Sequence, residues 1–130
     1  MQIILKAVIK DGDKFLTILR SPDAKFLPEY WDFPGGKLDL GETLEEGMAR
    51  ETLEETTLEI KPLEILGTYI MNLEYKDEIV PFEVKVFSTE VISGEVKIGP
   101  EHTDFKWVTK EELLKLKVEP FIPMFLEENV

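Results

Sequence analysis

The sequence predicts an α+β domain, and three observations predict it. Several runs alternate apolar with polar residues at the period of a strand. One strongly patterned helix lies in the middle of the chain, and one or two shorter helices close its C-terminal end. The 130 residues suit one domain, residues 1–130, with a real hydrophobic core. No internal repeat, low-complexity stretch or inter-domain linker interrupts them.

Residues 2–10 alternate and are rich in Ile, Leu and Val, which predicts a strand. Asp11-Gly12-Asp13 is a turn signal, and residues 14–20 form a second strand, so the two make a hairpin. Residues 21–29 carry Pro22 and Pro28 and are too polar for core, so they read as a loop. Tyr30-Trp31-Asp32-Phe33 is a short aromatic strand, with Trp31 and Phe33 expected to pack inside rather than stack on a base. Pro34-Gly35-Gly36-Lys37 breaks that strand, and the paired glycines let the backbone pass close to a bound phosphate or metal.

The second half of the stretch 36–58 reads as a helix. Thr43 is its N-cap, Glu46 lies three residues later, and Glu45 and Glu46 load the first turn with negative charge. Leu44, Gly47 and Met48 mark an inward face at the i, i+3, i+4 spacing. Extending the rule reaches Glu51, Glu54 and Glu55, which fall within about 100° of one another around the axis. An apolar stripe thus runs into three carboxylates on one side of the helix. Like charges at this spacing repel, and burial makes the repulsion worse. A hard divalent cation such as Mg²⁺ removes the conflict, because it takes oxygen ligands and keeps positions open for substrate phosphates. Arg50 can hold one carboxylate by a bidentate pair. The plainer alternative is a glutamate-rich face in contact with solvent.

Beyond the helix, two extended pieces are expected at 59–63 and 65–73. A turn follows at Lys76-Asp77-Glu78, then a strand at 80–92, which makes a long antiparallel hairpin. Ser93-Gly94-Glu95 is a further turn. Trp107 and Val108 read as core of a last strand. Residues 110–116 form a short helix capped by Thr109, and residues 121–128 a final helix or tail.

Composition excludes several kinds of chemistry. The formal net charge of −12 gives nothing that invites nucleic-acid backbone or an anionic membrane. No cysteine means no disulfide framework, thiol nucleophile or zinc–thiolate site, and a single histidine rules out a multi-histidine metal centre. The first residues, MQIILKAVIKDGDKF, hold no long apolar run, so no signal peptide or membrane span is expected and the cytoplasm is the default location.

The stretch 36–58 resembles the signature of the Nudix hydrolases, G-x5-E-x7-R-E-U-x-E-E-x-G-U with U aliphatic. Gly36, Glu42, Arg50, Glu51, Glu54, Glu55 and Leu58 all stand at the required spacing. Two positions depart. Thr52 stands where an aliphatic residue is usual. Thr57 stands where glycine is usual, at a place where a left-handed conformation is often needed and a β-branched residue resists it. The run WDFPGGKLDLGE looks like the approach to the helix in MutT-like Nudix pyrophosphohydrolases, and EHTDFKWV also resembles the family, many members of which place an E-H or a lone acidic residue on the loop before the last strand, facing the metal site.

The resemblance spans residues 20–107 and implies a mixed β-sheet sandwiched between α-helices. It implies hydrolysis of a diphosphate linked to another moiety, with Glu51, Glu54 and Glu55 holding roughly one to three Mg²⁺ or Mn²⁺ ions. By the same comparison the Gly35 carbonyl and Glu101 are further metal ligands, Glu54 or Glu101 is the general base, Arg50 orients Glu51, Glu42 binds the loop or supports the metal shell, and Gly36 is a supporting residue. Arg20 contacts substrate phosphate or is an ordinary exposed arginine; Lys37 reaches a phosphate or is solvated; Glu101 is a ligand or a solvated loop residue. His102 is expected to be structural. The implied partner is a small nucleotide, foremost a (d)NTP cleaved to (d)NMP and pyrophosphate, with ADP-ribose, dinucleoside polyphosphates and non-catalytic nucleotide sensing as alternatives. No nucleic-acid or membrane partner is expected, and the chain is a monomer or homodimer.

Overall fold

The computed structural model describes residues 1–129. Its strands are β1 (Gln2–Val8), β2 (Lys10–Asp11), β3 (Lys14–Arg20), β4 (Trp31–Asp32), β5 (Gly35–Lys37), β6 (Glu59–Tyr75), β7 (Glu78–Ser93) and β8 (His102–Val108). Its helices are α1 (Leu44–Thr56), α2 (Lys110–Leu113) and α3 (Phe121–Asn129). One sheet has the order β5-β1-β7-β6 and is mixed, because β1 runs parallel to β7 while the other pairs are antiparallel. The second sheet joins β2, β3 and β4, with β8 also paired to β3.

Period-two alternation along β1 divides the interior in two. Leu5 and Ala7 face one way, join Ile9, Ile60 and Phe87, and are covered by Met48 of α1. Val8 faces the other way with Tyr69, Met71, Phe82, Val84 and Val86, and is covered by Phe121, Ile122, Phe125 and Leu126 of α3. The mixed sheet is therefore sandwiched between α1 and α3. Burying a side chain such as Met48, which has no exposed surface, contributes about 1.5–3 kcal/mol.

Helix α1 starts where the sequence places it. Thr43 Oγ1 accepts from the Glu46 amide at 3.1 Å while Glu46 Oε1 accepts from the Thr43 amide at 2.8 Å, a complete capping box. Its buried stripe is Gly47, Met48, Thr52 and Thr56. Thr52 and Thr56 turn their hydroxyls onto the carbonyls of Met48 and Thr52, at 2.8 and 2.7 Å, so threonine packs inward without an unpaired polar atom.

Several expectations change. The run 2–10 is not one strand: the chain crosses from one sheet to the other at the buried Ile9, so that β2 pairs with β3 instead. The two pieces after α1 are one 17-residue strand, with register shifts between Pro62 and Gly67 absorbing the irregular pattern. Helix α2 ends at Leu113, after which Lys115 and Leu116 make tighter i→i−3 bonds to Glu112 and Leu113. The loop 21–29 does reach the interior, because Phe26 packs edge-on to Phe82 with ring centres 5.0 Å apart. Trp107 is half-buried, while Trp31, Phe33 and Val108 are core. At the β6–β7 tip, Lys76 and Asp77 have φ of 50° and 64°, the two left-handed residues that a tight hairpin of this twist requires. Among the described residues no helix is long and apolar enough to cross a membrane.

Candidate active site

The β5 turn, α1 and the approach to β8 converge on one cavity of about 580 Å³. Gly35, Gly36, Lys37, Glu51, Glu54, Glu55, Glu101 and Arg20 all line it, so the structure gathers most of the residues singled out from sequence. Glu42 and Arg50 stand behind this lining.

Arg50 organises the carboxylates. Its Nε donates to Glu42 Oε2 at 2.6 Å and its Nη2 to Glu42 Oε1 at 2.9 Å, the fork-on-fork pair that guanidinium and carboxylate geometry favours. Its Nη1 donates to Glu51 Oε1 at 2.9 Å and Glu54 Oε2 at 3.2 Å, and Nη2 also donates to the Lys37 carbonyl at 3.1 Å. Glu42 in turn accepts from the Asp39 amide at 2.9 Å, which ties the loop to the helix. The hydrogen bonds Arg50 donates to Glu42, together with those to Glu51 and Glu54, hold the guanidinium above its ordinary pKa. The hydrogen bond from Arg50 holds Glu42 below its own.

The three helix carboxylates do not share one environment. Glu54 lies out at the solvent edge, with a side chain 58% exposed, because Thr52 and Thr56 take the inward positions that the sequence pattern assigns to the glutamates. Glu51 is half-buried, and burial pushes its carboxyl above the usual range against the pull of Arg50. Glu55 is the innermost. Burial pushes its pKa up to about 8, opposed by the Lys6 charge and by the Gly35 amide, which donates to its Oε1 at 2.8 Å.

Close backbone approach requires glycine at Gly35, and at Gly36 glycine leaves room for the Glu51 carboxylate. A Cβ on Gly35 would lie 1.8 Å from the Leu5 carbonyl oxygen, and one on Gly36 would lie 2.2 Å from Glu51 Oε2. Only a bare backbone lets a carboxylate rest directly against this loop. The donor set is of the kind a hard divalent cation takes, carboxylate oxygens of Glu51, Glu54 and Glu55 lining one cavity. Among the described residues, however, no three acidic or histidine side chains already form a cation grip. Arg50 draws Glu51 and Glu54 to itself, and Glu55 turns to the Gly35 amide.

Arg20 is half-buried and tied down, with Nε donating to the Phe26 carbonyl at 3.0 Å and Nη1 3.6 Å from Asp32 Oδ2. Lys37 is exposed on the rim. Glu101 is exposed, and its backbone carbonyl accepts from the Ser21 amide at 3.0 Å. His102 is buried with Nε2 3.9 Å from Glu55 Oε2, and burial lowers its pKa to about 4, so it stands there as a neutral imidazole.

Sequence reasoning passed over a second polar group at the inner end of the cavity. Lys6 is 4% exposed; its ammonium is paired with Asp32 and lies 3.5 Å from Glu119 Oε2. Burial works against both charges of the Lys6–Asp32 pair, yet their attraction prevails, leaving Lys6 raised and Asp32 lowered. Burial and the Asp32 charge push Glu119 well above the carboxylate range. Asp32 Oδ1 has no hydrogen-bond partner among the described residues. Two signals for this group stand in the sequence: a lysine at an inward position of an apolar strand, and an aspartate between two core aromatics. Glu119 gives none, because its place depends on the Trp31 carbonyl accepting from its amide at 3.1 Å.

Comparison with known proteins identifies the family. The model of the NUDIX domain matches residues 3–128. A MutT-like protein from Streptomyces ambofaciens is 28% identical over 120 residues, covering 92% of this chain and 71% of that one. An ADP-ribose pyrophosphatase from Methanocaldococcus jannaschii is 30% identical over 115 residues, covering 88% of this chain and 65% of that one, so the chain spans about two thirds of the length of these relatives. The crystal structure of a MutT protein from Methanosarcina mazei Go1 superposes with a TM-score of 0.83 at 30% identity, over 98% of this chain and 94% of that one. The chain belongs to the NUDIX domain family of pyrophosphohydrolases.

Proposed function

We propose that the enzyme hydrolyses a nucleoside triphosphate to the monophosphate and pyrophosphate, with Mg²⁺ (or Mn²⁺) as the divalent cation that Nudix hydrolases use. The observation that carries this reading is the shape of the cavity. One end is the carboxylate cluster of α1, and the wall leading away from it is apolar, built from Ile4, Phe26, Met71, Leu73, Phe82 and Val84. Its volume of about 580 Å³ is in the range that takes one small ligand. A polyphosphate chain suits the first end and a nucleoside the second.

Glu51, Glu54 and Glu55 would hold the cation, with Glu101 and the Gly35 carbonyl beside them. When bound, the ion neutralises the diphosphate and lowers the pKa of a bound water. Glu54 or Glu101 takes the proton from the attacking water; both line the cavity and both are exposed enough to pass it to solvent. Arg50 fixes the Glu51 carboxylate through its 2.9 Å hydrogen bond. Arg20 on the cavity wall and Lys37 on its rim supply positive charge that would offset the negative charge developing on the leaving-group phosphates.

A second reading, cleavage of ADP-ribose, is supported by the 30% identity to the pyrophosphatase from M. jannaschii. The test is product release across a panel of (d)NTPs, 8-oxo-dGTP, ADP-ribose and a dinucleoside polyphosphate, with and without Mg²⁺, resolved by chromatography. The expected result is metal-dependent monophosphate plus pyrophosphate from a triphosphate. Cleavage of ADP-ribose alone replaces the substrate, and tight nucleotide binding with no turnover overturns the enzymatic reading in favour of a sensor.

A further inference from the structure

Thr57, the residue that stands in the glycine position of the motif, sits at φ 63° and ψ 7°, and its amide donates to the Leu53 carbonyl at 3.0 Å. Glycine adopts this conformation freely and a β-branched residue resists it. What threonine adds is a hydroxyl, and that hydroxyl donates to the Glu95 carbonyl. The contact belongs to a larger one. The Lys97 amide donates to the Thr56 carbonyl at 2.9 Å, and a Cβ on Gly94 would lie 2.7 Å from the Thr57 carbonyl oxygen, so residues 94–97 lie directly on the exit of α1.

From that anchor the chain crosses to the cavity without regular secondary structure between 94 and 99. Gly99, Pro100 and Glu101 then line the cavity, and the Glu101 carbonyl accepts from the Ser21 amide at 3.0 Å. The segment 94–101 is thus a strap held at both ends. One end is the C-terminus of the helix that carries Glu51, Glu54 and Glu55, and the other presents Glu101 to the same space.

We propose that Thr57 is a positioning residue for Glu101. Its hydroxyl pins the strap to the helix exit and so fixes where Glu101 meets the carboxylate end of the cavity. This rests on the reading of Glu101 as a working group in the hydrolysis. It gives the departure from the motif a use: threonine strains the helix exit but makes a bond that glycine cannot make.

Three variants of the full chain test it. Thr57→Val keeps the size and β-branching and removes the hydroxyl, Thr57→Ser keeps the hydroxyl, and Thr57→Gly removes the hydroxyl and the strain together. Thr57→Val and Thr57→Gly are expected to lower kcat by about tenfold, on the scale of lost supporting contacts around a metal site, with KM moving by less than about twofold. Thr57→Ser should stay within about twofold of the natural chain, and Thr57→Gly should melt no lower than it does. In a Glu101→Ala background, Thr57→Val should cause no further loss, because the group it positions is gone. Additive losses in that double variant, or losses that follow melting temperature, overturn the proposal. So does a full-rate Glu101→Ala enzyme that still loses kcat on Thr57→Val. Hydrogen exchange at the Lys97 amide gives an arm independent of turnover. It should quicken in Thr57→Val and Thr57→Gly but not in Thr57→Ser. If the natural chain cleaves no nucleotide, the functional reading fails by itself, and unchanged exchange in all three variants overturns the tether.

Discussion

The Gly35 amide donates to Oε1 of Glu55 at 2.8 Å, while the other oxygen of the same carboxyl stands 3.9 Å from the neutral imidazole of His102. Both groups contribute to how stability depends on pH, beside the raised carboxyls of Glu119 and Glu51. Glu55 has its pKa pushed up to about 8, so between about pH 4.5 and 8 the folded chain keeps a proton that the unfolded chain has released, and stability falls as pH rises. His102 is lowered to about 4, so between about pH 4 and 6.5 the unfolded chain binds a proton that the folded chain lacks, and stability rises with pH. The two oppose each other below pH 6.5, and only the carboxyl contribution remains above it. We expect metal-free protein to lose stability from pH 6.5 to 8, by at most about 1.4 kcal/mol per pH unit for one group. Urea unfolding at constant ionic strength measures this. Glu55→Gln should flatten the slope, and an unchanged slope would assign it to other groups.

Glu54→Gln should leave the fold intact and cut hydrolysis by about 10²- to 10⁴-fold, the scale of a lost general base. Glu54 is the most exposed of the three carboxylates, and its side chain accepts hydrogen bonds from Arg50, so melting should shift little. Unchanged turnover with Mg²⁺ in a steady-state assay would remove Glu54 from the site.

Arg50→Lys keeps the charge but loses the fork that holds Glu42 with two bonds and Glu51 and Glu54 with others. We expect divalent-metal affinity and kcat to fall by about 10- to 100-fold. Isothermal titration with Mn²⁺ reads the affinity directly. A fall in melting temperature with unaltered affinity would make Arg50 a purely structural tie.

Gly36→Ala places a methyl 2.2 Å from Glu51 Oε2. The backbone of β5 is paired with β1 and cannot retreat, so the carboxylate must move. Activity should fall further than stability, and metal titration should show weaker binding in proportion. Full activity would mean that Glu51 works from another position.

Glu101→Ala should lower the rate with little change in melting, since the side chain is exposed and the hydrogen bond to the Ser21 amide is made by the backbone carbonyl, which the substitution keeps. A sharp fall in melting temperature would identify a structural role instead.

The parts of this molecule set by local rules are legible in its sequence. The capping box at Thr43, the turn at Lys76-Asp77 and the alternation of β7 depend on neighbours a few residues apart, and all three stand where the pattern puts them. The spacing of Glu51, Glu54 and Glu55 likewise brings all three to one cavity. What the spacing does not give is depth. Helical periodicity assigns a direction, but Thr52 and Thr56 compete for the inward side, and packing against the sheet decides in their favour. The Lys6–Asp32–Glu119 group lies further from local rules still, since it joins residues separated by 26 and 113 positions.

The outer strand of the mixed sheet carries one more consequence. β6 runs 17 residues at the sheet's margin, so one row of its amides and carbonyls has no neighbouring strand, and such a row is a template on which a second chain can polymerise. The sequence guards it with Pro62, with shifts of register near it, and with exposed Glu59, Lys61, Glu64 and Glu74. Like-charge repulsion between copies, from a net charge of −12, adds a long-range guard. That guard fades near the isoelectric point of about 4.5, so acidic storage rather than heat is the condition under which this margin would seed fibrous aggregates.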